Sequence, residues 1–269
     1  MKALPCLSAC QRRTFWTMFA ALTLITTALH TLALLTAMDT IGYFQSSAAS
    51  ATLFYACIGL GILVCAAFLL TPNENIARET QALPLPRFVG AAMAAAAAGA
   101  TAAFLISRST ALPTPALLNL ITAISLICAA AYFALRLKAS RTDTTVLCGY
   151  GAILAATLSL ISTYFDRYTQ MNAPHKLFFH ICMLAVMFAL LLEQRDLLGR
   201  PLPRLCVAST ALAAFLCTAF SLPAIIAFSA GVYNDPMYLF FDILALGFAV
   251  YFGTKCAHYA LAPKKEVSQ

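Results

Sequence analysis

Asp242 stands inside an apolar run, Tyr238-Leu239-Phe240-Phe241-Asp242-Ile243-Leu244. Tyr238 and Asp235 precede it by four and seven residues, so a helix would carry all three on one face. A carboxylate among aromatic and aliphatic neighbours needs a partner. Four side chains suit by type: His180, His30, Arg167 and Lys176. Such a group serves either as a structural ion pair or helix cap, or as a site for a proton, a cation or an amine.

Two polar stripes accompany it. Thr23, Thr27 and His30 share one helical face, with Thr26 beside them; Ser159, Thr163 and Asp166 share another, with Ser162 beside them. The two sets correspond residue for residue at an offset of 136, which pairs His30 with Asp166. Hydroxyls at these positions bond the backbone one turn back or join helix to helix. The alternative is that they line a path between helices.

These residues lie in a chain of 269 residues that is 62% hydrophobic and only 10% charged. Spans are predicted at 15–37, 51–71, 88–106, 115–135, 147–165, 177–194, 205–231 and 237–255. Each approaches the roughly 20 apolar residues that a bilayer core requires. The expected fold is all-α, a polytopic membrane bundle of eight transmembrane helices forming one integral membrane domain over 1–269. Little chain remains for a soluble catalytic domain.

Fourteen of the seventeen Lys and Arg residues fall on one side of these spans; only Arg108, Arg167 and Lys176 fall on the other. The positive-inside rule then places both termini in the cytoplasm, with the chain in the plasma (inner) membrane. His30, Asp166, His180 and Asp242 all come out in the outer half. The net charge of +7 is spread over five short segments, which fits anionic lipid and not nucleic acid.

Weak likeness between 1–140 and 141–269 suggests a duplication. Pro84-Leu85-Pro86-Arg87 and Pro201-Leu202-Pro203-Arg204 open the third and seventh spans. Both halves start and end inside, so the repeat would be parallel, four helices plus four. The third span carries Gly90, Ala94, Ala98 and Ala102 at four-residue spacing, a surface for close helix packing. Pro223, just after Ser221, should kink the seventh span.

Ten cysteines are read as reduced packing residues, because none falls in a predicted external loop. The first span is too long for a signal-peptide core and is kept as a mature helix. Phosphate-binding loops, His-Glu-x-x-His and nucleophile elbows are missing from the sequence, and no cofactor is expected. A zinc site from His30, His180, Asp166 and Asp242 would need four helices to converge. Glu193, Arg195 and Asp196 read as a solvated charge network of little worth.

The segment Tyr164 to Lys176 mixes aromatics and charges, as an interfacial belt or a ligand lid would. With Glu193-Gln194-Arg195 and Leu198-Gly199-Arg200-Pro201, it resembles uncharacterised multi-pass membrane proteins of Firmicutes over about residues 162–204. The resemblance implies an uncleaved bacterial inner-membrane protein and carries no activity. The leading functional expectation is binding or transport of a small solute, cationic or proton-coupled. Asp242 would be the primary charge, Asp166, His180, His30 and Tyr238 would support it, and Thr27 and Thr163 would belong to the lining. The alternatives are a structural or regulatory subunit with a membrane-protein partner or a second copy, and an intramembrane enzyme.

Overall fold

The computed structural model describes residues 9–38, 44, 49–69, 85–138, 142–166, 173–200, 202–232 and 234–261. They form eight helices: α1 (Ala9–Thr36), α2 (Ala49–Ala67), α3 (Leu85–Arg108), α4 (Ala116–Leu137), α5 (Asp143–Tyr164), α6 (Pro174–Leu197), α7 (Pro203–Ser229) and α8 (Pro236–Leu261). All eight are long and apolar enough to cross a bilayer. By length and composition, then, this is a multi-pass membrane protein. Among the described residues the only β pairing is an isolated bridge between Met38 and Phe44.

Local sequence explains the helix ends. Pro174 and Pro203 occupy the first turns of α6 and α7, where a missing N–H is harmless. The Thr142 side chain accepts the Thr145 N–H at the start of α5. Gly199 and Gly231, at φ 76° and 78°, provide the left-handed residue that turns the chain out of α6 and α7. In both cases the next N–H reaches back to the last turn, Arg200 to Arg195 and Val232 to Ala227.

Helices α3, α4, α5, α6, α7 and α8 each pack on the next, and α8 closes the circuit on α3. The α1–α2 pair lies against α7. The small-residue stripe of α3 is the surface that meets α8. A Cβ on Gly247 would come within 2.6 Å of the Ala97 Cβ and 3.3 Å of the Ala94 Cα. Thr101 Oγ1 donates across the same seam to the Phe240 carbonyl at 3.0 Å. We call the end of the bundle holding Ala9 and Leu261 the near end, and the opposite end the far end.

Two helix boundaries change the reading of the site. α6 begins at Pro174 and not at 177, so His175 and Lys176 belong to its first turn and not to a loop. α4 runs on to Leu137, which brings Arg136 within the helix, and α8 continues past Lys255 to Leu261. α7 continues through Pro223 as one helix from Pro203 to Ser229.

Candidate functional site

The site begins with a backbone defect. Pro223 has no N–H, so it cannot bond the carbonyl of Ala219 one turn earlier. His30 of α1 takes that acceptor: its Nδ1 lies 2.8 Å from the Ala219 oxygen. A carbonyl only accepts, so Nδ1 carries the proton, and in the neutral ring Nε2 is left with its lone pair. His30 Nε2 is buried with no hydrogen-bond partner among the described residues. The ring is clamped by aromatics: it stacks on Phe54 at 4.2 Å and meets Phe178 and Phe220 edge-on.

His30 lines a small cavity together with His175 and Asp242, and Ser221 and Cys182 complete its polar wall. The space open to the centre of a water is about 10 Å³, the size of a single water site. His175 Nε2 stands 3.4 Å from Asp242 Oδ2, an ion-pair distance longer than a strong charge-assisted hydrogen bond. Asp242 is 5% exposed. Three titratable side chains from α1, α6 and α8 thus face one space inside an apolar bundle.

A second polar group sits beside the cavity, toward the far end. Tyr238 Oη donates to Asp166 Oδ2 at 3.0 Å, and its ring meets the His175 ring edge-on at 4.9 Å. Lys176 Nζ donates to the carbonyls of Tyr164 and Asp166 at 3.4 and 3.5 Å. Asp235 Oδ1 accepts the Met237 N–H at 2.8 Å at the start of α8. Partial burial raises the Asp235 carboxyl above its ordinary range, and the Asp166 charge adds to this, against the Met237 hydrogen bond.

The structure therefore divides the sequence candidates. His30 and Asp242 line the cavity, and Tyr238 joins Asp166 to its edge. His180 turns to α5, where its Nε2 is 2.9 Å from Thr163 Oγ1. Thr23, Thr26 and Thr27 bond carbonyls one turn back in α1, and Ser162 bonds Thr122 of α4. Among the described residues the partner of Asp242 is His175, in the first turn of α6. Its helix-start signal, Ala173-Pro174, was present. Arg167 and the rest of the expected belt or lid, 167–172, lie outside the described residues.

Among the described residues no three His, Cys, Asp or Glu side chains are placed to hold a metal ion. The eight cysteines from Cys57 to Cys256 are free.

The charges near the end of α6 need correction. Glu193 is 3% exposed and is not part of a solvated network. Its carboxylate meets Arg136 of α4 and Lys255 of α8, each at 3.1 Å, and accepts the Tyr251 hydroxyl at 2.6 Å. Arg195 points elsewhere, to the Arg200 carbonyl. The helical neighbours of Glu193 are charged, but its partners Arg136 and Lys255 lie 57 residues before it and 62 after it.

No protein-family profile, curated protein or solved structure matches the chain.

Proposed function

We propose that this chain is a plasma-membrane protein that binds a proton at the His30–His175–Asp242 cavity and couples that event to handling of a small solute. The observation that supports it is the convergence of three titratable side chains, from three helices, on one space within apolar packing. A charge at the centre of a transmembrane helix costs at least about 2.5–3.5 kcal/mol, so such groups ordinarily serve a purpose. Room for one water suits a proton carried on a water molecule. An organic amine would require the cavity to open. With the termini cytoplasmic, as the charge asymmetry indicates, the cavity lies in the outer half of the bilayer.

The test is infrared titration of the carboxyl C=O band of purified protein in lipid, comparing wild type with Asp242→Asn. The wild type shows a carboxyl band that titrates with pH, and the variant loses it while eluting as a folded species. Retention of the full signal in Asp242→Asn overturns the reading. A purely structural ion pair predicts a lower melting midpoint in the variant and the same titrating carboxyl bands in both proteins.

A further inference from the structure

Helices α6 and α8 are joined at both ends by an acid and a base. At the far end His175 of α6 faces Asp242 of α8 at 3.4 Å. At the near end Glu193 of α6 faces Lys255 of α8 at 3.1 Å. The two α6 residues are about 27 Å apart along the helix, and the two α8 residues about 20 Å, at 1.5 Å per residue. The middle of both helices is apolar and closed: Met183, Val186 and Leu190 on α6, and Phe248 and Phe252 on α8, are fully buried.

The two clasps differ in composition. The far one is a single imidazole and a single carboxylate beside a cavity. The near one gathers a carboxylate, a guanidinium, an ammonium and a phenol from three helices, each at most 4% exposed. The ordinary pKa values of Arg and Lys lie well above that of His. The bundle is thus fastened at the near end and provided with a cavity at the far end.

We infer that the Arg136–Glu193–Lys255 cluster is a latch that keeps the near end of the α4–α6–α8 seam shut beneath the His30–His175–Asp242 cavity. Opening it would admit water to the cavity from the near side. The latch rests on the proposed cavity function, because a sealed end has a use only where the other end receives something. It works through helix position and touches no solute, so Arg136, Glu193 and Lys255 are positioning residues.

Cys182 in the cavity wall supplies a native reporter. Membrane vesicles of each orientation are treated with a membrane-impermeant methanethiosulfonate, and the rate at Cys182 is read by peptide mass spectrometry. In wild type, reaction from the near face is slow. Glu193→Gln raises that rate about tenfold and leaves the far-face rate unchanged. Lys255→Met keeps the Arg136–Glu193 pair and gives a smaller rise, and it carries the test if Glu193→Gln does not elute as a folded species. A folded variant that labels at the wild-type rate from the near face overturns the latch. The labelling reads water access and the infrared titration reads protonation without any latch variant, so the two readings fail separately.

Discussion

The carbonyl that Pro223 cannot bond is the one that His30 bonds: Ala219 O lies four residues before the proline and 2.8 Å from His30 Nδ1. A helix defect in α7 and a polar side chain in α1 satisfy each other inside an apolar bundle. Neither residue explains itself alone. The proline would leave an acceptor without a partner, and the histidine would leave a donor without one. Together they fix one tautomer and leave Nε2 as the base on the cavity ring.

Pro223→Ala should undo this. The new N–H at 223 competes for Ala219 O, α7 gains a backbone bond, and the His30 ring loses the contact that sets its tautomer. The expected result is a shift of the His30 imidazole ¹⁵N resonances away from the Nδ1-protonated pattern, with α7 no less stable. An unchanged ¹⁵N pattern would show that the aromatic clamp of Phe54, Phe178 and Phe220 holds the ring without the carbonyl.

The near-end cluster makes a prediction about stability. Glu193→Leu leaves Arg136 and Lys255 buried without their carboxylate, a loss of about 3–5 kcal/mol by analogy with broken buried pairs. Adding Arg136→Met and Lys255→Met removes the stranded charges, and the triple variant should recover most of that loss. Unfolding midpoints in mild detergent across the single, double and triple variants check it. Strictly additive losses would mean that the three residues do not act as one unit.

Spans, helix class and the α3 packing stripe were legible in the sequence because they depend on local composition and periodicity. His30 and Asp242 stood out as well, since a polar group in an apolar run is conspicuous by itself. Their partners were not legible. His175 needed the helix start at Pro174 to be recognised, and Glu193 needed Arg136 and Lys255 to arrive from helices distant in sequence. The Thr stripe of α1 allowed backbone bonding or a lining, and its hydroxyls turn to carbonyls of their own helix. His30 and Asp166, equivalent by offset, take unlike partners: a freed carbonyl on α7 and a tyrosine on α8. Sequence spacing places residues on a face, but the neighbour of that face is a tertiary fact.

The α3–α8 seam offers a packing test. A Cβ at position 247 meets the Ala97 Cβ at 2.6 Å and the Ala94 Cα at 3.3 Å, and only the former can be removed by substitution. Gly247→Ala should therefore destabilise by about 1–3 kcal/mol, as overpacking does. Adding Ala97→Gly relieves the nearer clash and should restore part of the loss. Equal melting midpoints for wild type and Gly247→Ala would mean that the seam can part by a few tenths of an ångström without cost.

Asp235 lies outside the helical spans and gives the pH-dependent prediction. Its carboxyl is raised chiefly by partial burial and further by the Asp166 charge, so the folded protein holds the Asp235 proton more tightly than the unfolded chain does. Its contribution to stability is therefore fullest below the ordinary carboxylate pKa and is lost as pH rises through the raised folded value. At neutral pH the ionised group works against the fold, although Oδ1 still accepts the Met237 N–H. Asp235→Asn keeps a carbonyl oxygen for that bond and removes the charge. The variant should melt higher than wild type at pH 7, and the gap should close in acid, where Asp235 is protonated. Melting curves of both proteins across the acidic range provide the check. A gap of equal size at every pH would assign the difference to the amide itself and not to the carboxylate's ionisation.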